Sequence, residues 1–281
     1  MVDSLPTRIK RKLWKATLGE QSWINRNEDF RTREYHGLIH RPNYLYGMLR
    51  AADCARYFGK QSVTVVEMGV ASGAGLLNMV EIAEQIRAET GVSFKIFGFD
   101  TGSGLPSIVG HKDHPEIWNS GDFAMEERDV LERRLDGQAS IIWGDIGSTI
   151  DAFTNDIDPS SPLGFVSIDV DIYSATKSGL RCFSGTTDKY LPAISVYFDD
   201  VRFFFANRWC GELAAIDEFN SEYDLRKIDH DRSLSMRPIQ NWHSAMYVCH
   251  ILDHPHRQTP RSRQELNITA HARLMSSQHL F

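Results

Sequence analysis

The sequence predicts an α/β fold in which a mostly parallel sheet carries helices on both faces. Short, β-branched apolar runs alternate with segments whose apolar residues recur at helical spacing. The first apolar run, residues 63–68, leads directly into a loop that contains Gly69 and Gly73. Acidic residues follow five consecutive predicted strands. In a parallel sheet these strand ends lie at one edge, where α/β proteins bind their ligands.

The predicted elements follow one another in a regular order. Residues 20–40 are polar and are predicted to be irregular, and a helix then begins at Arg41-Pro42, because proline suits the first helical turn. Strand and helix pairs follow at 63–68 and 74–89, 93–99 and 126–135, 139–143 and 147–154, 164–169 and 174–184, and 192–199 and 211–221. Residues 225–228 and 245–252 are strands with no helix between them, which predicts a terminal antiparallel hairpin.

The 281 residues contain no internal repeat and no clear linker, so we expect one domain with an extension at each end. Residues 1–60 form the N-terminal helical extension, whose first 40 residues could cover a site as a lid. Residues 61–253 form the α/β domain. Residues 254–281 form a polar tail that is either loosely ordered or docked on a partner subunit.

Composition excludes several classes of protein. The formal charge of −6 argues against a general nucleic-acid binder, which would be basic. No apolar run is long enough to span a membrane or to serve as a signal peptide, so we expect a cytoplasmic protein with no membrane partner. The four cysteines form no C-x-x-C pair, which disfavours a zinc site or a disulfide framework and is typical of a reducing compartment.

The glycine loop is the first motif that points to a ligand. It reads Glu67-x-Gly69-x-Ala71-x-Gly73 between a strand and a helix. Glycines let the backbone approach a nucleotide, and a helix N-terminus offers free N–H groups. The pattern resembles the first motif of class I methyltransferases, which bind S-adenosylmethionine (SAM). Two alternatives remain: a dinucleotide fold, although Ala71 replaces its second glycine, and a connection with no ligand.

Three acidic residues can be interpreted as residues that bind the cofactor. Asp100 ends the second strand and could accept hydrogen bonds from both ribose hydroxyls; alternatively it is a turn residue. Glu67 would orient the glycine loop or reach the methionine amino group through water. Asp145 would accept from the adenine amino group, or cap the next helix. The predicted cofactor-binding residues are therefore Glu67, Gly69, Ala71, Gly73, Asp100 and Asp145.

The later acidic residues indicate a metal site. Asp169 and Asp171 lie at the end of the fourth strand of the alternation, and Asp199 and Asp200 lie at the end of the fifth. Converging carboxylates repel one another unless a cation neutralises them, and all-oxygen ligation suits Mg²⁺, with Mn²⁺ or Ca²⁺ as alternatives. Adjacent strand residues point to opposite faces, so Asp199 and Asp200 can both be ligands only if the strand has already ended. Otherwise one of them caps the following helix.

These later segments also resemble one particular family. Residues 167–177 read SIDVDIYSATK and resemble the I-D-x-D-x-Y-x-x-T motif of the macrocin O-methyltransferase family. The Asp199-Asp200 pair, the predicted helix from Gly211 and the segment 99–106, FDTGSGLP, resemble further parts of that family. The resemblance covers residues 63–220. It implies a class I methyltransferase (Rossmann-like) fold with a seven-stranded sheet, SAM as cofactor, and Mg²⁺ held by Asp169, Asp199 and Asp200.

The resemblance implies methylation of a hydroxyl on a small molecule, often a sugar hydroxyl of a natural product. Asp169 and Asp171 are the predicted catalytic residues, with Asp171 as the general base and His111 or His114 as weaker candidates. The segment 107–125 matches no acceptor site of the family, and we expect it to act as a lid. An NAD(P)-dependent oxidoreductase and a non-catalytic SAM-fold module are the alternative functions. The expected partners are a hydroxylated small molecule and, as a homo-oligomer, a second copy of the chain.

Overall fold

The structure is a computed structural model that describes residues 20–260. Residues 1–19, which begin the predicted lid, and residues 261–281, which include most of the predicted tail, lie outside the described residues. The seven strands are β1 (Ser62–Met68), β2 (Ser93–Asp100), β3 (Ser140–Trp143), β4 (Leu163–Ile168), β5 (Tyr190–Phe198), β6 (Arg226–His230) and β7 (Met246–Ile251).

These strands form one sheet in the order β3-β2-β1-β4-β5-β7-β6. The first five pair in parallel, and β7 lies antiparallel between β5 and β6. The long connections between the parallel strands carry α-helices, whereas β6 and β7 are joined by a loop with two short 3-10 helices, Arg232–Met236 and Asn241–Ala245. The predicted mostly parallel sheet with an antiparallel terminal hairpin is therefore confirmed.

Helices cover both faces of the sheet. They are α1 (Glu20–Asn27), α2 (Phe30–Tyr35), α3 (Pro42–Tyr57), α4 (Ala74–Thr90), α5 (Arg128–Leu135), α6 (Ile146–Asp156), α7 (Tyr173–Gly179), α8 (Gly211–Glu222) and α9 (Pro255–Gln258). Side chains alternate along β1: Val63 and Val65 pack with α3 and α4, while Val66 and Met68 pack with α6 and α7. Within residues 20–260 no helix combines the length and apolarity that crossing a membrane requires.

The sequence predicted that residues 20–40 are irregular, and this prediction is wrong. The segment contains α1 and α2. The Asp29 side chain caps α2 by accepting a hydrogen bond from the Thr32 N–H at 2.8 Å. Arg31 then reaches Asp53 on α3 at 2.7 Å and Glu89 on α4 at 2.8 Å. A short polar helix of this kind is stabilised by tertiary ion pairs, which hydrophobic periodicity does not reveal.

The order of the strands reverses beside β1, since β2 and β3 extend to one side and β4 and β5 to the other. Ligands of open α/β sheets bind outside the carboxyl ends of the strands at such a reversal. The register places Met68 beside Phe99 and Ile168, and Ile168 beside Phe198. The residues that follow these four positions therefore meet at one edge of the sheet.

Candidate active site

The glycine loop joins three strand ends at this edge. Gly69 has a left-handed backbone, with φ 87°, and its N–H donates to the Phe99 carbonyl at 2.9 Å. A Cβ atom at Gly69 would lie 1.7 Å from the Asp169 carbonyl oxygen, so no larger residue fits without moving the backbone. Gly73, with φ 82°, precedes the first residue of α4. The loop thus requires glycine for two reasons, its backbone conformation and the close approach of β4.

Asp100 holds the glycine loop in place. One carboxylate oxygen accepts from the Val70 and Ala71 N–H groups at 2.9 and 2.8 Å, and the other accepts from the Gly102 N–H at 2.5 Å. The sequence indicated either a ribose ligand or a turn residue, and the structure shows that Asp100 organises the turns on both sides of it. Because a carboxylate has about four acceptor positions, the ribose role stays a prediction.

Glu67 is buried under the first turn of α4. Its Oε1 accepts from the Tyr44 hydroxyl at 2.6 Å, and a Cβ atom at Gly75 would come within 1.7 Å of the same oxygen. Burial raises the pKa of Glu67 to about 8, although the Tyr44 hydrogen bond opposes this effect. Its Oε2 has no hydrogen-bond partner among the described residues. Glu67 therefore fixes α3 against the glycine loop and keeps one buried oxygen available.

Asp145 follows Gly144, whose N–H donates to the Asp100 carbonyl at 2.9 Å. It occupies the N-cap position of α6, but its side chain accepts no capping hydrogen bond from the described chain. Its backbone carbonyl accepts instead from the Ser148 N–H at 3.0 Å. The side chain is exposed and does not line the cavity described below. Its predicted role in binding adenine therefore stays a prediction.

Three carboxylates converge just beyond β4 and β5. Asp169, Asp171 and Asp200 each offer an oxygen, and these oxygens all lie within 4.8 Å of one another. Both strands have ended before these residues, at Ile168 and Phe198, so strand alternation no longer dictates where their side chains point. Asp171 has a left-handed backbone, with φ 62°, which turns the chain into α7.

The three carboxylates strongly disfavour one another's charge. Burial, followed by the charges of Asp199 and Asp200, raises the pKa of Asp169 to about 7. Burial and the charge of Asp169 raise the pKa of Asp171 to about 7. Burial and the charge of Asp171 raise the pKa of Asp200 to about 8. Packed acidic groups of this kind are typical of functional sites.

The converging set differs from the set that the resemblance implied. The Oδ1 of Asp199 accepts a hydrogen bond from the Tyr197 hydroxyl at 2.6 Å. The cluster contains Asp171 in place of Asp199. Glu212, at the start of α8, was not singled out as a ligand by the sequence. It is buried, and its Oε2 accepts from the Asp200 N–H at 2.9 Å. Burial and the charge of Asp200 raise the pKa of Glu212 well above its usual value.

The donor set fits a hard divalent cation. It consists of carboxylate oxygens, which Mg²⁺ prefers. The Oδ2 of Asp200 is buried and accepts no hydrogen bond from residues 20–260. A cation would satisfy this atom and offset the burial and the mutual repulsion that together raise the three pKa values. The cluster therefore has both the ligand chemistry and the electrostatic need for a cation.

The long segment between β2 and α5 is anchored beside the cluster. Asp113 is buried and accepts from the Val109 N–H and the Ser174 N–H, both at 2.8 Å. Ser174 lies in the first turn of α7, three residues after Asp171. The Trp118 ring packs at 6.2 Å from the Phe203 ring in the loop that follows Asp200. The segment is therefore tied to both loops that carry the acidic cluster.

The two histidines proposed as weaker bases do not reach the cavity. His111 is exposed, and neither His111 nor His114 is among the residues that line it. The His114 side chain is buried, with Nδ1 at 2.7 Å from Glu116. A structural role for His114 in this segment is the simpler interpretation.

We expect Asp113→Ala to release this segment. The variant removes the acceptor for two backbone N–H groups that are 61 and 4 residues away along the chain. The Val109 and Ser174 amides should then lose protection from hydrogen exchange, and residues 107–125 should become more sensitive to protease. Asp129→Ala is the control, because Asp129 is exposed on α5. Unchanged exchange at Ser174 would show that Asp113 does not hold the segment.

A cavity of about 260 Å³ connects these parts. Its lining includes four of the predicted residues from the loop and cluster and four residues of the anchored segment. They are Gly69, Ala71, Asp169 and Asp171, and Leu105, Pro106, Asp122 and Phe123. Asp100 also lines the cavity. The sequence analysis had selected Gly69, Ala71, Asp169 and Asp171 as site residues. It did not select Asp122 and Phe123, because they lie in a segment that has no recognisable periodicity.

Comparison with models of protein families and with curated proteins found no match. Solved structures do match. The crystal structure of CalS11, a calicheamicin methyltransferase, is 17% identical, with a TM-score of 0.50 over 89% of this chain and 94% of that chain. The O-methyltransferase NovP is 18% identical, with a TM-score of 0.46 over 74% of this chain and 79% of that chain. The sheet order and the similarity to CalS11 establish a class I methyltransferase fold. Membership of the macrocin family stays a prediction.

Proposed function

We propose that this protein is a SAM-dependent methyltransferase that methylates a hydroxyl group of a small molecule with the help of a divalent cation. One observation carries the proposal. Asp169 and Asp171 of the acidic cluster line the same cavity as Gly69 and Asp100 of the glycine loop. A site for a nucleotide-linked methyl donor at the loop and a site for a cation at the cluster would therefore adjoin, as a metal-assisted transfer to oxygen requires.

The glycine loop and Asp100 would hold the cofactor. When bound, SAM would supply a methyl group to the acceptor oxygen, with formation of an O–C bond, cleavage of the S–C bond and S-adenosylhomocysteine as the leaving group. Asp100 accepts three backbone N–H groups around the loop and has acceptor capacity left for ribose hydroxyls. Leu105, Pro106 and Phe123 form an apolar wall of the cavity, which would keep water away from the reacting atoms.

Asp171 would remove the proton of the acceptor hydroxyl. It lines the cavity, so an acceptor hydroxyl bound there would lie close to its carboxylate. Asp169 and Asp200 would hold the cation in both the sequence-derived set and the converging set. When bound, a divalent cation supplies positive charge that lowers the pKa of the acceptor hydroxyl. The proposal of a small-molecule hydroxyl as the acceptor rests on the motif resemblance. The similarity in fold to CalS11, a calicheamicin methyltransferase, supports a small-molecule acceptor.

Calorimetry and labelled methyl transfer test this proposal. SAM and S-adenosylhomocysteine should bind, whereas NADH should not. Label from SAM should appear on members of a panel of hydroxylated sugars and phenols, and excess EDTA should stop the transfer. Binding of NADH without binding of SAM would favour the dinucleotide alternative. Binding of SAM without transfer, together with no response to Mg²⁺, would favour a non-catalytic module.

We expect Asp100→Ala to weaken SAM binding and to destabilise the loop. A hydrogen bond to a charged group contributes about 1.5–3 kcal/mol, so the SAM dissociation constant should rise about tenfold or more. The Tm should also fall, because three loop N–H groups lose their acceptor. Asp188→Ala is the control, since Asp188 is exposed just before β5, at the opposite edge of the sheet. Unchanged SAM affinity in Asp100→Ala would contradict the assignment.

A further inference from the structure

Arg41 occupies a constrained backbone position. It precedes α3 and has a left-handed backbone, with φ 47°, which residues with a Cβ atom rarely adopt. Its carbonyl accepts from the Tyr44 and Leu45 N–H groups at 3.0 and 3.1 Å, and Pro42 fixes the first helical position. Ala71, Phe123 and Asp171, which line the cavity, share this backbone feature. Left-handed residues of this kind concentrate at ligand sites.

The side chain of Arg41 lies beside the glycine loop. Its guanidinium is 5.3 Å from the centre of the Tyr44 ring. Tyr44 in turn donates to Glu67 at 2.6 Å and packs against the first turn of α4 at Gly75. Arg41 therefore lies over the Tyr44 ring, whose hydroxyl contacts Glu67 at the start of the glycine loop.

The guanidinium also lacks the partner that comparable arginines have. Arg31 and Arg50 each form an ion pair with a carboxylate, at 2.7 and 2.5 Å. Within residues 20–260, Arg41 forms no such ion pair, and no oxygen of this part of the chain accepts a hydrogen bond from its side chain. Its N–H groups form a planar fork that matches a carboxylate.

We propose that Arg41 binds the carboxylate of the methionine part of SAM, an inference that rests on the proposed function. The ribose end of the cofactor lies at Asp100 on β2 in that proposal, and the methyl group lies near Asp169 beyond β4. The amino-acid end, which carries one ammonium and one carboxylate, would then lie toward Glu67 and α3. Glu67, whose buried Oε2 has no hydrogen-bond partner among the described residues, suits the ammonium, and Arg41 suits the carboxylate.

The test compares SAM with decarboxylated SAM, which lacks only the carboxylate. Calorimetry on the full chain should show that the wild type prefers SAM. In Arg41→Gln the dissociation constant of SAM should rise about tenfold to a hundredfold, whereas that of decarboxylated SAM should change by less than about twofold. Arg41→Lys should keep part of the preference, because it keeps the charge and loses the fork. Arg56→Gln is the control, since Arg56 is exposed in the last turn of the same helix.

Two outcomes would overturn the inference in distinguishable ways. If the wild type binds SAM and Arg41→Gln weakens both compounds equally or neither, Arg41 does not bind the carboxylate, while the proposed function stands. If the wild type binds neither compound, the proposed function fails and the inference fails with it. A Tm of Arg41→Gln close to that of the wild type verifies that affinity, rather than folding, has changed.

Discussion

Asp200→Asn is expected to lose at least about 100-fold in Mg²⁺ affinity, with a corresponding loss of methyl transfer at low Mg²⁺, because it removes a ligand rather than a residue that supports one. Its Tm in EDTA should equal or exceed that of the wild type. Without a cation, the half-buried Asp200 lies beside Asp169 and Asp171, and the partial burial and repulsion of its charge destabilise the folded protein. Asparagine keeps the shape and removes one of the repelling charges.

Scanning fluorimetry with and without Mg²⁺ separates this expectation from a purely structural role. Mg²⁺ should raise the Tm of the wild type and have little effect on that of Asp200→Asn, because only the folded wild type binds the cation tightly. A structural role predicts the opposite pattern: a lower Tm in EDTA and no response to Mg²⁺ in either protein. Full methyl transfer by the wild type in excess EDTA would also contradict the cation site.

Asp171→Asn and Asp199→Asn identify the third ligand. The resemblance implied Asp199 as a ligand and Asp171 as the base, so Asp199→Asn would weaken Mg²⁺ binding and Asp171→Asn would lower turnover alone. The observed cluster instead contains Asp171, while Asp199 is engaged with Tyr197. A larger loss of Mg²⁺ affinity in Asp171→Asn would therefore support the cluster as it stands. A larger loss in Asp199→Asn would support the ligand set of the family.

The fold could be predicted because buried parallel strands are nearly continuous apolar runs. Residues 63–68 and 164–169 are of this type, and the structure places β1 and β4 there. The helices α1 and α2 were missed because they present few apolar residues. The ion pair of Arg31 with Asp53 stabilises α2, and it joins positions 22 residues apart that no local pattern connects.

The sequence predicted at which edge of the sheet the candidate site lies, but it did not predict which of the acidic side chains converge there. Strand ends placed Asp169, Asp171, Asp199 and Asp200 together, since side-chain position along a parallel sheet follows from register. Which three converge depends on the backbone after the strands have ended, for example on the left-handed φ of 62° at Asp171. Such angles in non-glycine residues are set by tertiary contacts, such as the anchoring of α7 by Asp113.

Gly69→Ala is also expected to have a large effect, on both stability and binding, because Gly69 lies in the glycine loop and against the backbone of Asp169 in the acidic cluster. A Cβ atom there would lie 1.7 Å from the Asp169 carbonyl oxygen, and the φ of 87° is strained for alanine. Overpacking against backbone and left-handed strain together should lower the free energy of unfolding by about 3–5 kcal/mol. The movement that relieves the clash shifts Asp169, so the variant should bind both SAM and Mg²⁺ more weakly.

Gly91→Ala is the matched control for this prediction. Gly91 also has a left-handed backbone, with φ 77°, at the end of α4, but a Cβ atom there meets no described atom within 4 Å. It should cost only the conformational strain, about 1–2 kcal/mol, and leave binding of SAM and Mg²⁺ unchanged. Urea unfolding and calorimetry on both variants separate strain from the clash. Equal losses of stability in Gly69→Ala and Gly91→Ala, with SAM still bound, would mean that the approach of Gly69 to Asp169 does not couple the cofactor loop to the acidic cluster.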